Sequence, residues 1–339
     1  MKRCRVLYAA CKPHDPALEG PVLAALESLG NEVEVCDARY KPFGSRFLFR
    51  VCRRLFLGRF PTVWDTVVKI SSQHTQQRVL RMAKKFKPDI FFAVKAKEIK
   101  PETIRKIHDM GIVTANWYME GIWHKSPFIF GPVYDYFFNV DKGAISILRE
   151  RGVKHAHYVA FGTRLVPSQV NNTLERSYDI SFIGTPTPPR PQILGMLSDL
   201  DINIWGPPAM WEKTSLMKFY RGKAYGSDLD NIYQRTKIVV NTNYENIKTN
   251  SPNLRNFEVM GNGALLISDY KADFAEMFSE NKEFVFYRDI KEIPALVSYY
   301  LKNEEERSVI AKAGQTAVLA KHTIESRVRD MMQIIKAKH

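Results

Sequence analysis

Residues 249–269 read Thr249-Asn-Ser-Pro-Asn-Leu-Arg-Asn-Phe-Glu-Val-Met-Gly-Asn-Gly-Ala-Leu-Leu-Ile-Ser-Asp269, which predicts a helix followed by a strand. The predicted helix covers residues 254–260 and stops at Gly261-Asn262-Gly263, because glycine and asparagine commonly end helices. The predicted strand covers residues 264–268. A helix joined to a strand in this way is the repeating unit of a parallel α/β sheet.

The same alternation runs through both halves of the chain. Residues 5–10 predict a strand, residues 16–29 predict an amphipathic helix, and residues 89–94 form the continuous apolar run expected of a buried parallel strand. Residues 178–183 begin a second series of the same kind. Further predicted elements are helices at 67–86 and 192–200 and strands at 33–36, 112–118, 154–160, 202–205 and 237–241.

Residues 161–176 lose the periodicity, carry Gly162 and Pro167, and predict a linker. We therefore predict an α/β fold of two doubly wound, Rossmann-like domains. The predicted domains are 1–161 and 177–321, with a final helix at 322–339 that returns to the first domain.

The composition excludes several classes of protein. Of 339 residues, 45% are hydrophobic and 25% are charged, which is typical of globular domains. The four cysteines form no Cys-x-x-Cys pair, which excludes a disulfide framework and a zinc finger. No apolar run reaches the roughly 18 residues of a membrane-spanning helix. We expect a cytoplasmic protein with reduced thiols.

The formal net charge is +14, which favours anionic partners. Between Arg39 and Trp64 stand seven basic residues and no acidic one. Within residues 43–60, aromatic and aliphatic residues alternate with arginines. This pattern is typical of a helix on the inner face of an anionic membrane, of a clamp for nucleic acid or acidic glycan, or of a packed helix whose arginines face water.

Residues 249–269 also contain a candidate ligand site. Ser251 can cap a helix whose first position is Pro252, and a helix start offers free N–H groups to a phosphate. Arg255 can add a charge-assisted contact, and Glu258 can accept hydrogen bonds from vicinal hydroxyls such as those of a ribose. The alternative is a surface helix with an Arg–Glu pair.

The segment 253–269 resembles the donor-site helix of GT-B glycosyltransferases, in particular the CgeB-like (spore maturation protein) group. Other segments resemble the same group: Tyr178-Asp-Ile-Ser-Phe-Ile-Gly-Thr, Lys87-Pro-Asp-Ile-Phe-Phe-Ala-Val-Lys95 and Ala313-Gly-Gln-Thr-Ala-Val-Leu-Ala-Lys-His-Thr-Ile-Glu-Ser-Arg327. Together these segments span nearly the whole chain. The resemblance implies a GT-B fold, with two Rossmann-like domains that face a central cleft.

The resemblance also implies that the second domain binds a nucleotide-sugar donor, with Glu258 on the ribose. It places the diphosphate at the helix start and at the loop after the domain's first strand. The residues matched to the diphosphate are Ser251, Asn253, Leu254, Arg255, Gly184 and Arg190. Related retaining enzymes carry a second Glu eight positions before the ribose Glu. Here that position is Asn250, whose amide can form a hydrogen bond with a sugar hydroxyl but carries no charge.

The first domain would then hold the acceptor. His14 and Asp15 follow the first strand and are candidate bases, although Asp15 could instead cap a helix. Glu120 follows the fourth strand and is our first choice for a catalytic carboxylate. Lys95 ends the third strand and could bind phosphate, or it could be a solvated loop lysine.

Two histidines, His155 and His157, share one face of a predicted strand, but no third metal ligand stands nearby. The chain also has no Asp-x-Asp motif of the kind that metal-dependent glycosyltransferases of the other major fold use. We therefore expect no cofactor and no essential metal.

The sequence thus predicts a glycosyltransferase that moves a sugar from a nucleoside diphosphate donor, UDP-linked in our prediction, to an acceptor hydroxyl in glycan or glycoconjugate synthesis. We expect an anionic acceptor: a glycan, a lipid-linked glycan or a nucleic acid. One alternative is transfer to a modified base of nucleic acid. Another is a non-catalytic protein that binds nucleotide sugars or glycans.

Overall fold

The structure is a computed structural model that describes residues 3–39, 61–121, 125–171, 173–243 and 249–337. The basic stretch at residues 43–60, with its predicted membrane or acceptor contact, lies outside the described residues.

The chain divides into two compact units. Unit 1 comprises Met1–Val140, Ala144–Tyr158 and Met331–His339, and unit 2 comprises Asp141–Gly143 and Val159–Asp330. These bounds differ from the predicted domains at residues 141–143, in the linker and in the final helix.

Unit 1 contains a sheet of six parallel strands in the order β2-β1-β3-β4-β5-β6. Its strands are β1 (Arg5–Ala10), β2 (Glu32–Asp37), β3 (Ile90–Val94), β4 (Val113–Tyr118), β5 (Tyr136–Asn139) and β6 (Ala156–Tyr158). Its helices are α1 (Glu19–Ser28), α2 (Pro61–Phe86), α3 (Pro101–His108), α4 (Ser126–Phe130) and α5 (Ala144–Glu150).

Unit 2 repeats this plan with the strand order β12-β11-β10-β7-β8-β9. Its strands are β7 (Tyr178–Ile183), β8 (Ile202–Trp205), β9 (Tyr220–Gly222), β10 (Thr236–Asn241), β11 (Leu265–Asp269) and β12 (Val285–Tyr287). Its helices are α6 (Arg190–Gly195), α7 (Pro208–Trp211), α8 (Ser227–Gln234), α9 (Leu254–Gly261), α10 (Ala272–Ala275), α11 (Ile293–Lys302), α12 (Glu304–Lys321) and most of α13 (Ile324–Lys336).

The central strands are apolar because helices cover both faces of each sheet. Every residue of β3 is buried, and so are the last four residues of β7. Each unit has its own hydrophobic cluster, which includes Phe91 and Phe137 in unit 1 and Ile238 and Leu265 in unit 2. The prediction of two parallel α/β sheets is confirmed.

Some predicted bounds were wrong. Helix α2 already begins at Pro61, a residue type favoured at the first helical position, rather than at residue 67. Strand β6 has three residues instead of the seven predicted for 154–160, since it lies at the edge of the sheet and pairs with β5 alone. Strand β9 was not predicted, because three residues are too few to show an alternation of apolar and polar residues.

Among the described residues, no helix combines the length and the apolar character needed to cross a bilayer.

A close approach at Gly206, directly after β8, yields a test of the packing in unit 2. A Cβ atom at this position would lie 2.0 Å from Gly184 O and 2.7 Å from Trp211 Nε1, which are themselves hydrogen-bonded at 2.9 Å. We expect Gly206→Ala to lower the free energy of unfolding by about 1–3 kcal/mol, because backbone must shift.

Urea denaturation measures this effect, and Gly195→Ala is the matched control. No atom lies within 4 Å of a Cβ added to Gly195 at the end of α6. This substitution should leave stability unchanged or raise it by up to about 1 kcal/mol. Equal effects of the two substitutions would contradict the packing described around Gly206.

Candidate functional site

Helix α9 begins where strand β10 ends, and a set of asparagines fixes this arrangement. Asn253 caps the helix, because its side chain accepts a hydrogen bond from the N–H of Asn256. The Asn241 amide, on the last residue of β10, donates to Asn253 Oδ1 at 3.2 Å and to Asn256 Oδ1 at 2.9 Å. The start of α9 is therefore held at the carboxyl edge of the unit 2 sheet.

The predicted cap at Ser251, with Pro252 as the first helical residue, was wrong. The helix starts at Leu254, because the cap hydrogen bond is made by Asn253. The Ser251 hydroxyl instead donates to Asp273 Oδ2 at 2.5 Å and accepts from the N–H of Lys142 at 3.2 Å. Ser251 thus fixes the loop before the helix.

A second layer of bonds supports the cap. The N–H of Asn253 donates to Asn243 Oδ1 at 2.9 Å, and the Asn243 amide donates to Asp269 Oδ1 at 2.8 Å. Asn241, Asn243 and Asn256 are all buried. Sequence reasoning missed these three residues, although Asn241 ends a predicted strand and Thr242-Asn243 directly follow it, at a position where ligands bind in α/β sheets.

The first turn of α9 has donors that no described residue uses. None of the described residues accepts a hydrogen bond from the backbone N–H of Leu254 or Arg255. The Nε of Arg255 is buried and likewise has no hydrogen-bond partner among them. Two backbone donors, a guanidinium and the positive end of the helix together favour an anion.

Glu258, one turn further along α9, lies in a buried cluster of charges. Arg164 Nη1 lies 3.3 Å from Glu258 Oε1, and Arg164 Nη2 lies 2.7 Å from Asp230 Oδ1. The side chains of Arg164 and Glu258 are each 8% exposed. Arg164 comes from the predicted linker and was missed, since its partner stands 94 positions away in sequence.

Burial raises the pKa of Glu258 above its ordinary value, and the positive charges of Arg164 and Arg255 oppose this shift. Burial also raises the pKa of the Tyr233 hydroxyl, which the charge of Arg255 likewise opposes. Arg255 therefore acts electrostatically on Glu258 as well as standing at the helix start.

The loop after β7 contains the predicted residue Gly184, and the predicted residue Arg190 begins α6 at the end of this loop. Gly184 O accepts a hydrogen bond from the Trp211 indole at 2.9 Å. Arg190 is 6% exposed, and its Nη1 lies 3.1 Å from Thr185 Oγ1 and 3.2 Å from Thr187 Oγ1. Arg190 therefore fixes the shape of this loop through contacts inside it.

In unit 1, the structure brings Lys95 and Glu120 together. Lys95 Nζ lies 3.8 Å from Glu120 Oε1, and Lys97 Nζ donates to Glu120 Oε2. Lys97 was not predicted. Two ammonium groups thus compensate one half-buried carboxylate at the carboxyl ends of β3 and β4.

The backbone around Lys95 has an unusual conformation. Lys95 and Ala96 have φ angles of 55° and 45°, in the left-handed region. The Asn116 amide donates to Lys95 O at 3.2 Å, and the Asn139 amide donates to Glu120 O at 3.0 Å. These side chains on β4 and β5 hold the loops that carry Lys95 and Glu120.

The two predicted bases after β1 differ in their surroundings. Asp15 accepts a hydrogen bond from the N–H of Ala17 at 2.9 Å and lies 3.5 Å from Lys12 Nζ, so it closes a local turn. Helix α1 begins at Glu19, later than predicted. His14 is exposed and lines a surface cavity of about 580 Å³ together with Asp37 and Arg78.

His155 and His157 lie beside Tyr136, with ring centroids 5.8 and 6.3 Å from it. No group of three or more His, Cys, Asp or Glu side chains that could hold a metal ion occurs in the described part of the chain.

Solved structures share this architecture. HepE from Anabaena, crystallised with UDP-glucose, is 8% identical over 99% of this chain and 100% of its own, with a TM-score of 0.65. Sucrose-phosphate synthase from Thermosynechococcus elongatus is 10% identical over 98% and 99%, also with a TM-score of 0.65. A glycosyltransferase from Rickettsia africae is 11% identical over 99% of both chains, with a TM-score of 0.61.

The chain has a GT-B fold. Residues 190–333 also match a family model described as glycosyl transferase-like. No curated protein sequence matches the chain. The matched range includes α9 and the asparagines that fix its start, namely Asn241, Asn243, Asn253 and Asn256.

The raised pKa of Glu258 in the folded state gives stability a pH dependence. A carboxyl group of this kind stabilises the fold while protonated. This contribution is lost as the pH rises from about 4.3, the ordinary pKa of glutamate, through the folded-state pKa. The free energy of unfolding of the unmodified protein should therefore fall relative to that of Glu258→Gln as the pH rises through this window.

Urea denaturation at several values between about pH 4 and about pH 7 measures the difference. Glu305→Gln, at an exposed position of α12, is the control and should not reproduce the trend. A constant difference between Glu258→Gln and the unmodified protein would contradict the burial described for Glu258.

Proposed function

We propose that the protein is a glycosyltransferase that uses a nucleoside diphosphate sugar, bound by unit 2. One observation carries the proposal: the N–H groups of Leu254 and Arg255, for which no described residue is an acceptor, belong to the same first helical turn as the Arg255 side chain, at the carboxyl edge of a parallel sheet. Such an arrangement suits a diphosphate. The family match over residues 190–333 and the resemblance of residues 253–269 to the CgeB-like group support the same reading.

In this proposal the start of α9 holds the diphosphate, and Glu258 accepts hydrogen bonds from the ribose hydroxyls. Arg164 occupies Glu258 Oε1, which leaves the other carboxylate oxygen for the ligand. The loop that contains Gly184, with Arg190 at its end, contributes the conformation of its backbone to the donor site. We propose a UDP-linked donor, as HepE of the same fold was crystallised with UDP-glucose.

The chemical work assigned to unit 2 is electrostatic. The bond between the sugar and the diphosphate breaks more easily when the leaving diphosphate is met by fixed positive charge. Arg255 and the helix start supply that charge. Asn250 stands where related retaining enzymes carry Glu; it is exposed and contributes an amide.

We propose that unit 1 binds an anionic acceptor. Lys95 and Lys97 supply the positive charge, and Glu120 holds the two ammonium groups in place. His14 is then the candidate base, because Asp15 is engaged in its own turn and Glu120 is paired with lysines. A base of this kind takes the proton from the acceptor hydroxyl as the new glycosidic bond forms.

The diphosphate assignment can be tested by binding. Arg255→Gln should weaken UDP binding by about 1.5–3 kcal/mol, the scale of a hydrogen bond to a charged group, and should leave uridine binding unchanged. Isothermal titration calorimetry measures both. Lys282→Gln, an exposed substitution in unit 2, is the control. An equal loss of affinity for uridine and for UDP would contradict the placement of the diphosphate at the start of α9.

Turnover distinguishes a transferase from a binding protein. We expect UDP release from UDP-sugars to be accelerated by a phosphorylated glycan, a lipid-linked glycan or duplex DNA. The acceptor that accelerates release separates glycan transfer from transfer to nucleic acid. Binding of UDP-sugar without release under all conditions would favour the non-catalytic alternative.

The base assignment has its own test within the same assay. His14→Gln should lower kcat by about 100-fold or more, with little change in the KM for the donor. His108→Gln, an exposed histidine paired with Asp135, should retain full activity. Full activity of His14→Gln would exclude His14 as the base.

A further inference from the structure

A cavity of unit 2 lies at the amino edge of its sheet. It has a volume of about 260 Å³ and is lined by Arg176, Lys237, Arg307 and Lys312. Arg176 precedes β7 and Lys237 is the second residue of β10, so the cavity lies at the amino ends of the strands. In a parallel sheet this edge is opposite to the one where α9 starts.

The two arginines have donors to spare. Arg176 uses three N–H groups on backbone carbonyls, namely those of Tyr233, Thr236 and Gly263, at 2.6–3.1 Å. Arg307 uses two on the carbonyls of residues 300 and 301, and its Nη2 forms an ion pair with Glu304 Oε1, 3.1 Å away. A guanidinium has five N–H groups, so each retains two for which no described residue is an acceptor.

The positive charge of this cavity is poorly compensated. Burial lowers the pKa of Arg176, and the positive charge of Arg307, which is 4% exposed, lowers it further. Glu304 is the one carboxylate among the described lining residues, and its side chain is 78% exposed. Lys237 pairs with Asp179, outside the lining, and Lys312 Nζ donates to an amide oxygen. Asp179 compensates Lys237, so the other three cations of the described lining face one solvated carboxylate.

We propose that this cavity binds a phosphate-sized oxyanion, either inorganic phosphate or the phosphomonoester of a metabolite. A guanidinium binds phosphate through two parallel N–H···O hydrogen bonds, and lysines add positive charge. The site is separate from the proposed donor site and does not rest on the proposed function. Two residues that line the cavity also contact the turn that ends α9: Arg176 donates to Gly263 O, and Gln315 Nε2 lies 3.4 Å from Gly261 O. A bound oxyanion would therefore stabilise this turn.

Thermal unfolding of the full chain tests this proposal. Sodium phosphate and glycerol 3-phosphate are titrated against sodium chloride at equal ionic strength. We expect a saturable rise in Tm with phosphate, since a ligand that binds the folded state stabilises it. A rise with phosphate alone identifies free phosphate as the ligand, and a larger rise with the ester identifies the phosphomonoester.

Three variants locate the effect. Lys312→Glu, at an exposed position, should raise the apparent Kd roughly tenfold, which corresponds to about 1.4 kcal/mol. Lys282→Glu reverses an exposed charge outside the cavity and should retain the response. Arg255→Gln removes charge from the proposed donor site and should retain the part of the response that Lys312→Glu weakens. Loss of the whole response in Arg255→Gln would place the phosphate at the start of α9 and overturn the proposal. No rise beyond that with chloride, or an unchanged response in Lys312→Glu, would overturn the proposal.

Discussion

The hydrogen bonds from the Asn241 amide to Asn253 and Asn256 are the constraint on which the candidate donor site depends. They join the last residue of β10 to the cap of α9. With the cap made by the Asn253 side chain, the backbone N–H groups of Leu254 and Arg255 have no acceptor among the described residues. The position of Arg255 and Glu258 then follows from the helix itself, since both lie within its first turns.

Buried charge is handled differently at the two edges of the unit 2 sheet. At the carboxyl edge, Arg164 is shared between Glu258 and Asp230, so the cluster is compensated from within the protein. At the amino edge, Arg176 and Arg307 bind backbone carbonyls, which satisfy N–H groups but carry no full negative charge. The first arrangement organises a carboxylate, and the second leaves a surplus of positive charge.

The sequence was sufficient to predict both parallel sheets, because apolar strands such as β1 and β7 are bounded by local signals that need no knowledge of distant residues. It was insufficient for the cap of α9. Ser251 and Asn253 are both good capping residues, and the choice is decided by Asn241, which a local pattern cannot place. The pairing of Arg164 with Glu258 escaped prediction for the same reason.

The ion pair between Arg164 and Glu258 also limits where a stable fragment of the chain could begin. A fragment that began at β7, the first strand of unit 2, would lack Arg164, the cation that pairs with both the buried Glu258 and the partly buried Asp230. Loss of one partner of a buried ion pair costs about 3–5 kcal/mol, enough to unfold a marginally stable fragment. The segment that carries Arg164 is therefore part of the folding unit, in agreement with the start of this part of unit 2 at Val159.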